Sequence, residues 1–218
     1  MNRPVIVVVG AGPGVGAAVA RLFAREGYDV GLVGRDAATL RRLADELAGA
    51  GATVHPAVVD LVDVPAASAA VSDLAEAFGR VDVLHFNPSV FREKGPLVLS
   101  VAELLDDVAL GVGALLTVLQ AARPFMGEGA RVTVTGSMAA DRPWHRAASL
   151  GVQKAGLRNL VHSIDAALGP AGIRAVSVTV RGALAPEGPF APDRVAAAIR
   201  AAAAQPEDSW RTEVEYAG

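Results

Sequence analysis

The chain has 218 residues, 52% of them apolar, and a formal charge of −3, which is enough to bury a sizeable core as one domain over 1–218. The acidic balance argues against nucleic acid as a partner, because phosphate binding shows as a basic stripe. With no cysteine, disulfides and thiolate metal sites are excluded, and the four histidines (His55, His85, His145, His162) lack the spacing of a metal motif. The longest uncharged runs, 5–20 and 108–122, are too short or too broken by Gly and Pro to span a membrane. The N-terminus enters a strand-like run without a basic n-region or cleavage site, so a cytoplasmic protein is expected.

Along the chain, the β-branched run Val5–Val9 suits a strand covered on both faces. A glycine turn and a helix over 17–26 follow, with Gly27 as a stop. Strands are then expected at 29–33, near 53–59 and at 81–86, separated by helices at 37–48 and 66–78. A long helix over 101–125 leads to a strand at 131–135. A helix over 148–168 ends at the Gly169-Pro170 breaker, and a strand at 173–180, a helix at 192–204 and a last strand at 210–216 complete the chain. Strict strand–helix alternation calls for parallel pairing through crossovers, hence an α/β fold with a doubly wound parallel sheet of Rossmann type.

The turn Gly10-Ala11-Gly12-Pro13-Gly14-Val15-Gly16 joins the first strand to the first helix. Phosphate oxygens can approach a backbone there because no side chain intervenes, and the helix N-terminus adds N–H groups and partial positive charge. A glycine-rich turn can also serve only to join strand to helix, but the strand before, the helix after and the alternation throughout favour dinucleotide binding. Pro13 removes one N–H donor. At the end of the second strand, where an acid would grip a ribose 2′-hydroxyl, stand Gly34 and Arg35. Glycine leaves room for a 2′-phosphate and the guanidinium can pair with it, which favours NADP(H). A solvated Arg35 with Asp36 on the ribose leaves NAD(H) as the alternative.

The Gly-x-x-x-Gly-x-Gly spacing at 10, 14 and 16, together with Thr135-Gly136-Ser137 and Leu150-Gly151-Val152-Gln153-Lys154, resembles the short-chain dehydrogenase/reductase family over essentially the whole chain. The resemblance implies that Asp60-Leu61 contact the adenine. It also matches Asn87 to the second Asn of the family's Asn-Asn-Ala-Gly segment, and Gly182 to the glycine of its Pro-Gly segment. In that family a serine polarises the carbonyl, a tyrosine passes the proton, and a lysine lowers the tyrosine pKa while holding the nicotinamide ribose. Ser137 fits the serine and Lys154 the lysine, though a turn cap and a surface lysine are the plainer readings. Lys154 is one of only two lysines in the chain.

Leu150 stands where the family has its tyrosine and cannot transfer a proton. The supporting asparagine is missing from 107–113, with Leu110 or Ala109 in its place. His145, in the loop before the helix, is a minority candidate for the acid. Arg181 replaces the proline of Pro-Gly, and only nine residues separate Gly182 from Pro192, so a shortened lid and a more open site are expected. The family resemblance implies an oxidoreductase acting on a small carbonyl or alcohol. The losses keep two other readings open: a non-redox dehydratase, cyclase or isomerase, and a non-catalytic cofactor binder. A homodimer or homotetramer is expected through the helices at 101–125 and 148–168, whose apolar content, above all across 115–122, exceeds one core-facing stripe.

Overall fold

Residues 3–218 are described by a computed structural model in which strands and helices alternate from end to end. The first half comprises β1 (Val5–Val9), α1 (Val15–Arg25), β2 (Asp29–Gly34), α2 (Ala37–Gly49), β3 (Val54–Val58), α3 (Val64–Phe78) and β4 (Val83–Phe86). The second half comprises α4 (Val101–Val108), α5 (Ala114–Ala122), β5 (Arg131–Ser137), α6 (Ala148–Leu168), β6 (Arg174–Val180), α7 (Pro192–Ala203) and β7 (Glu213–Tyr216). All strand pairs are parallel and the sheet order is β3-β2-β1-β4-β5-β6-β7. Winding direction therefore reverses between β1 and β4, which opens a crevice beyond their carboxyl ends, the usual ligand position in this architecture.

β1 shows why the run of valines had to be central. Val7 and Val9 enter the core beneath α3, α5 and α6, whereas Ile6 and Val8 enter the core beneath α1, α2 and α7. Each fully buried Val or Ile contributes about 1.5–3 kcal/mol of transfer free energy, so a polar substitution on either face is opposed. Helix starts follow local chemistry. Asp36 caps α2 through Thr39 N at 2.6 Å, Asp63 caps α3 through Ala66 N at 3.1 Å, and Ser100 with Glu103 forms a reciprocal capping box on α4.

Two expectations change here. The helix expected over 101–125 is not continuous: α4 passes into α5 through a π turn at Ala109–Gly113, and Arg123–Phe125 closes with a tighter 3₁₀ turn. Within this wider turn a Cβ at Gly111 would lie 2.3 Å from Gln153 Oε1, so the backbone can pass this close to the α6 amide only with glycine there. Gly111 is the residue against Gln153 of α6, and Leu110 beside it lines the cleft described below. The apolar surplus across 115–122 is also spent differently. Leu115, Val118, Leu119, Ala121 and Ala122 are buried within the chain's own core, and the exposed apolar side chains are Val101 and Leu105 of α4, Leu116 of α5 and Val152 of α6.

Candidate cofactor and active site

Gly10 has φ +81°, and both its N–H and that of Ala11 donate to Val33 O at 2.8 and 3.0 Å, so the chain doubles back against β2. Only glycine adopts that φ without strain. Six residues on, a Cβ at Gly16 would meet Gly10 O at 2.3 Å, so α1 can start this close to the turn only with glycine there. Added Cβ atoms on Gly12 and Gly14 would meet nothing within 4 Å, so that flank of the loop is open. The N–H groups of Gly14, Val15 and Gly16 have no backbone acceptor among the described residues. Free amides at a helix N-terminus, beside an open glycine flank, form a cradle for an anion.

The cradle opens into a cleft of about 580 Å³. Its walls include Gly10, Gly12 and Pro13 from the loop, Gly34 and Arg35 from the end of β2, and Asp60 and Leu61 after β3. Arg35 is exposed and has no ion-pair partner among the described residues. Asp36, by contrast, is engaged: its carboxylate accepts from Thr39 N, and that backbone bond is the main cause holding its pKa below the ordinary value. Asp60 accepts from Val62 N at 3.2 Å while Leu61 is buried.

Asn87 sits where this cleft meets the end of β4. Its Nδ2 donates to Gly10 O at 3.2 Å, and its Oδ1 accepts from Thr135 Oγ1 at 2.8 Å. The Lys154 side chain runs inward from α6 to donate from Nζ to Thr135 O at 2.8 Å, and burial lowers its pKa to about 8. Ser137 ends β5 half-buried, and its Oγ accepts from Ala139 N at 3.2 Å, capping the turn that follows. Leu150 lies in the first turn of α6, one helical turn before Lys154. Neither tyrosine is at hand: Tyr28 packs edge-on against Phe23, and the Tyr216 hydroxyl donates to Pro189 O. Ser149 is buried, and its Oγ has no hydrogen-bond partner among the described residues.

His145 is exposed on the loop before α6. That loop is tied to the segment after β4: Ala148 N donates to Lys94 O at 3.1 Å, Arg146 pairs with Glu93, and the Phe91 and Trp144 rings stack at 6.2 Å. Gln153 joins in by bonding both Val90 N and Val90 O, at 3.0 and 3.1 Å. The same segment is anchored to α4 through a two-pronged Arg92–Asp107 pair and through Lys94 on Glu103, whose carboxyl Lys94 and Ser100 hold down at about 2. No single-residue motif announces these ties, since they join positions far apart in sequence.

The short segment after β6 is exposed over 183–189 and closes on itself at Phe190. Phe190 lies over Gly182, where a Cβ would fall 2.2 Å from the ring, and the Tyr216 ring meets Phe190 edge-on at 5.9 Å. Gly182 is therefore covered on that side by the chain's own aromatic ring. Arg181 turns toward Asp141, at 2.6 Å, and toward Glu215. Together with Met138 and Arg142 these residues line a second cleft of about 510 Å³, beyond the ends of β5, β6 and β7. Arg158 and then Arg181 hold Asp141 below the ordinary carboxylate range, and Arg181 does the same to Glu215. Among the described residues no group of three or more His, Asp or Glu side chains could hold a metal ion, and no helix is long and apolar enough to cross a membrane.

Residues 4–185 match the family model for short chain dehydrogenase. Sulfoacetaldehyde reductase 2 of Chromohalobacter salexigens is 30% identical over 178 residues, 80% of this chain and 70% of that protein. Across the first curated relatives the match spans between 51% and 70% of their length. A short chain dehydrogenase from Burkholderia cenocepacia, solved in complex with NADP, superposes with a TM-score of 0.89 at 27% identity, covering 100% of this chain and 96% of that one. A metagenomic short-chain oxidoreductase, also solved with NADP, gives 0.87 at 28% identity, with 99% and 97% covered. With four-fifths of its length inside the family model and the doubly wound sheet in place, the chain belongs to the short-chain dehydrogenase/reductase family.

Proposed function

We propose that this chain binds NADP(H) in the 580 Å³ cleft and acts as an oxidoreductase on a small carbonyl or alcohol, with an atypical active site. The observation that carries the cofactor reading is the pairing of an uncommitted Arg35 with a committed Asp36. The acid that would favour NAD(H) is occupied with capping α2, whereas the guanidinium beside Gly34 is free for a 2′-phosphate. The glycine loop fits the pyrophosphate, since its open flank and free amides answer to an anion. Asp60 and Leu61 would flank the adenine and Asn87 the nicotinamide ribose, all three lining the cleft; by the family likeness alone Lys154 would join Asn87 at the ribose and Gly182 would meet the nicotinamide.

Bound NADP(H) would supply or accept a hydride; the chain's own groups must then place the substrate and manage one proton. Ser137 would polarise the carbonyl oxygen by donating its hydroxyl proton, which stays available while its Oγ accepts from Ala139 N. Lys154, partly neutral near pH 8, would hold the ribose. With Leu150 one turn ahead of it, the proton would come from water or from His145 swinging in from its exposed loop. That same Leu150 favours a second reading, a non-redox enzyme or a cofactor-binding protein on this fold. A cytoplasmic homo-oligomer fits both, with the exposed Val101, Leu105, Leu116 and Val152 side chains as the contact face.

Incubation with NADPH and a panel of aldehydes and ketones, followed at the nicotinamide absorbance band, tests the redox reading. Substrate-dependent loss of absorbance supports it. Tight NADPH binding with no turnover on any carbonyl would leave the second reading in its place.

A further inference from the structure

Inside the sheet, beneath the cleft, four polar side chains form one hydrogen-bonded row across β4 and β5. His85 is fully buried, and so are Thr133 and, all but 8% of its surface, Thr135. Thr133 Oγ1 lies 2.9 Å from His85 Nδ1, His85 Nε2 lies 3.5 Å from Thr135 Oγ1, Thr135 reaches Asn87 at 2.8 Å, and Asn87 reaches Gly10 O at 3.2 Å. The register of the sheet creates the row, because His85 stands directly across from Thr133 in the β4–β5 ladder and Thr135 projects from the same face two residues on.

Proton directions along this row are fixed by its last member. A carbonyl oxygen only accepts, so Asn87 must present its amide nitrogen to Gly10 O and its oxygen to Thr135. The single hydroxyl proton of Thr135 is then given to Asn87 Oδ1. His85 Nε2, facing the same hydroxyl oxygen, can only donate, and Nδ1 is left to accept from Thr133. Burial carries the imidazole pKa down to about 3, so the ring stays neutral at working pH and its tautomer is set by the hydrogen bonds of the row. Thr135 is also the node for the other end of the site, because its carbonyl receives Lys154 Nζ.

We propose that His85 and Thr135 are positioning residues of the cofactor site, a buried one-directional relay that sets Asn87, and through Gly10 O the glycine loop, before the dinucleotide arrives. The inference rests on the reading of the cleft as the NADP(H) site. A preset Asn87 and Gly10 spare the ligand the ordering that it would otherwise impose on them. If the relay is cut at Thr135, Asn87 Oδ1 loses its donor and the amide is free to turn. Removing one partner of a buried hydrogen bond leaves the other unsatisfied, and where that cost falls on the bound geometry NADPH affinity drops roughly tenfold.

The test compares the parent with Thr135→Val, which matches the side chain in shape without its hydroxyl, and with Thr135→Ser, which keeps the hydroxyl. NADPH dissociation constants come from calorimetry and unfolding free energies from urea titration. The expected result is weaker NADPH binding by Thr135→Val, about tenfold, with affinity restored in Thr135→Ser. Unchanged affinity in Thr135→Val with only a loss of stability would make the row a structural ornament and overturn the proposal, as would a Thr135→Ser variant that binds as weakly as Thr135→Val. Nitrogen NMR of the parent's His85 ring supplies a readout that needs no variant to fold. The Nε2–H tautomer is expected, and the Nδ1–H tautomer would overturn the relay. A parent that binds NADPH not at all would instead bring down the reading of the cleft, and the inference with it.

Discussion

Lys154→Met should remove a pH dependence that the parent owes to one buried amine. Lys154 is 5% exposed, its Nζ has Thr135 O as its one hydrogen-bond partner among the described residues, and its pKa falls from 10.5 to about 8 because burial disfavours the ammonium. A lysine whose folded pKa lies below its unfolded value destabilises the fold while it is charged. Between the two values the unfolded state binds more protons, so stability rises with pH. From pH 7 to pH 10 the lysine should add about 2–3 kcal/mol to unfolding free energy by this linkage. Methionine carries similar volume and no proton, so its curve should lack that rise, although Thr135 O then goes without its donor. Urea unfolding of both proteins at pH 7, 8.5 and 10 measures the difference directly, and all other titrating groups cancel in the comparison. Parallel curves across that range would show that the buried amine keeps its ordinary pKa, and the desolvation argument would fail.

Leu150→Tyr should place a phenol one turn before Lys154 on the same face of α6, where the cation would lower its pKa. Since general acid catalysis typically contributes about 10²–10⁴-fold, NADPH-dependent reduction of activated ketones should rise while cofactor affinity stays level; a parent that already turns over simple ketones at about 10 s⁻¹ would show that another group supplies the proton, with His145→Ala the variant that identifies it. Leu105→Glu, at a side chain 60% exposed beside Val101 on α4, should split the assembly into monomers by light scattering. A monomeric parent at micromolar concentration would remove the interface altogether.

How much of this was legible depended on whether the signal was local. The strands could be read because burial on both faces leaves continuous β-branched runs such as Val5–Val9, and the phosphate loop because three glycines answer to one turn. Helix ends were legible to within a residue or two where a cap or breaker stood nearby, as at Asp36 and Gly169. The break at Ala109–Gly113 was not, and neither was the contact of Gly111 with Gln153, some forty positions away on another helix. Nor was the packing of Phe190 over Gly182, because the spacing that marks a short lid does not say which side chain folds back on it. The row from Thr133 to Asn87 left one trace: a histidine in a run of apolar residues and two threonines at a spacing of two. Their meeting required the β4–β5 register, which no single strand encodes.

The most direct measurement of the account is a calorimetric titration of the parent and of Arg35→Ala with NADPH and with NADH. The free guanidinium of Arg35 and the committed carboxylate of Asp36 predict tighter binding of NADPH than of NADH by the parent. Loss of one charge-assisted bidentate contact should weaken NADPH by about 1.5–3 kcal/mol and leave NADH nearly unchanged, so that Arg35→Ala no longer discriminates. Equal affinities in the parent, or a preference for NADH that survives the substitution, would contradict it.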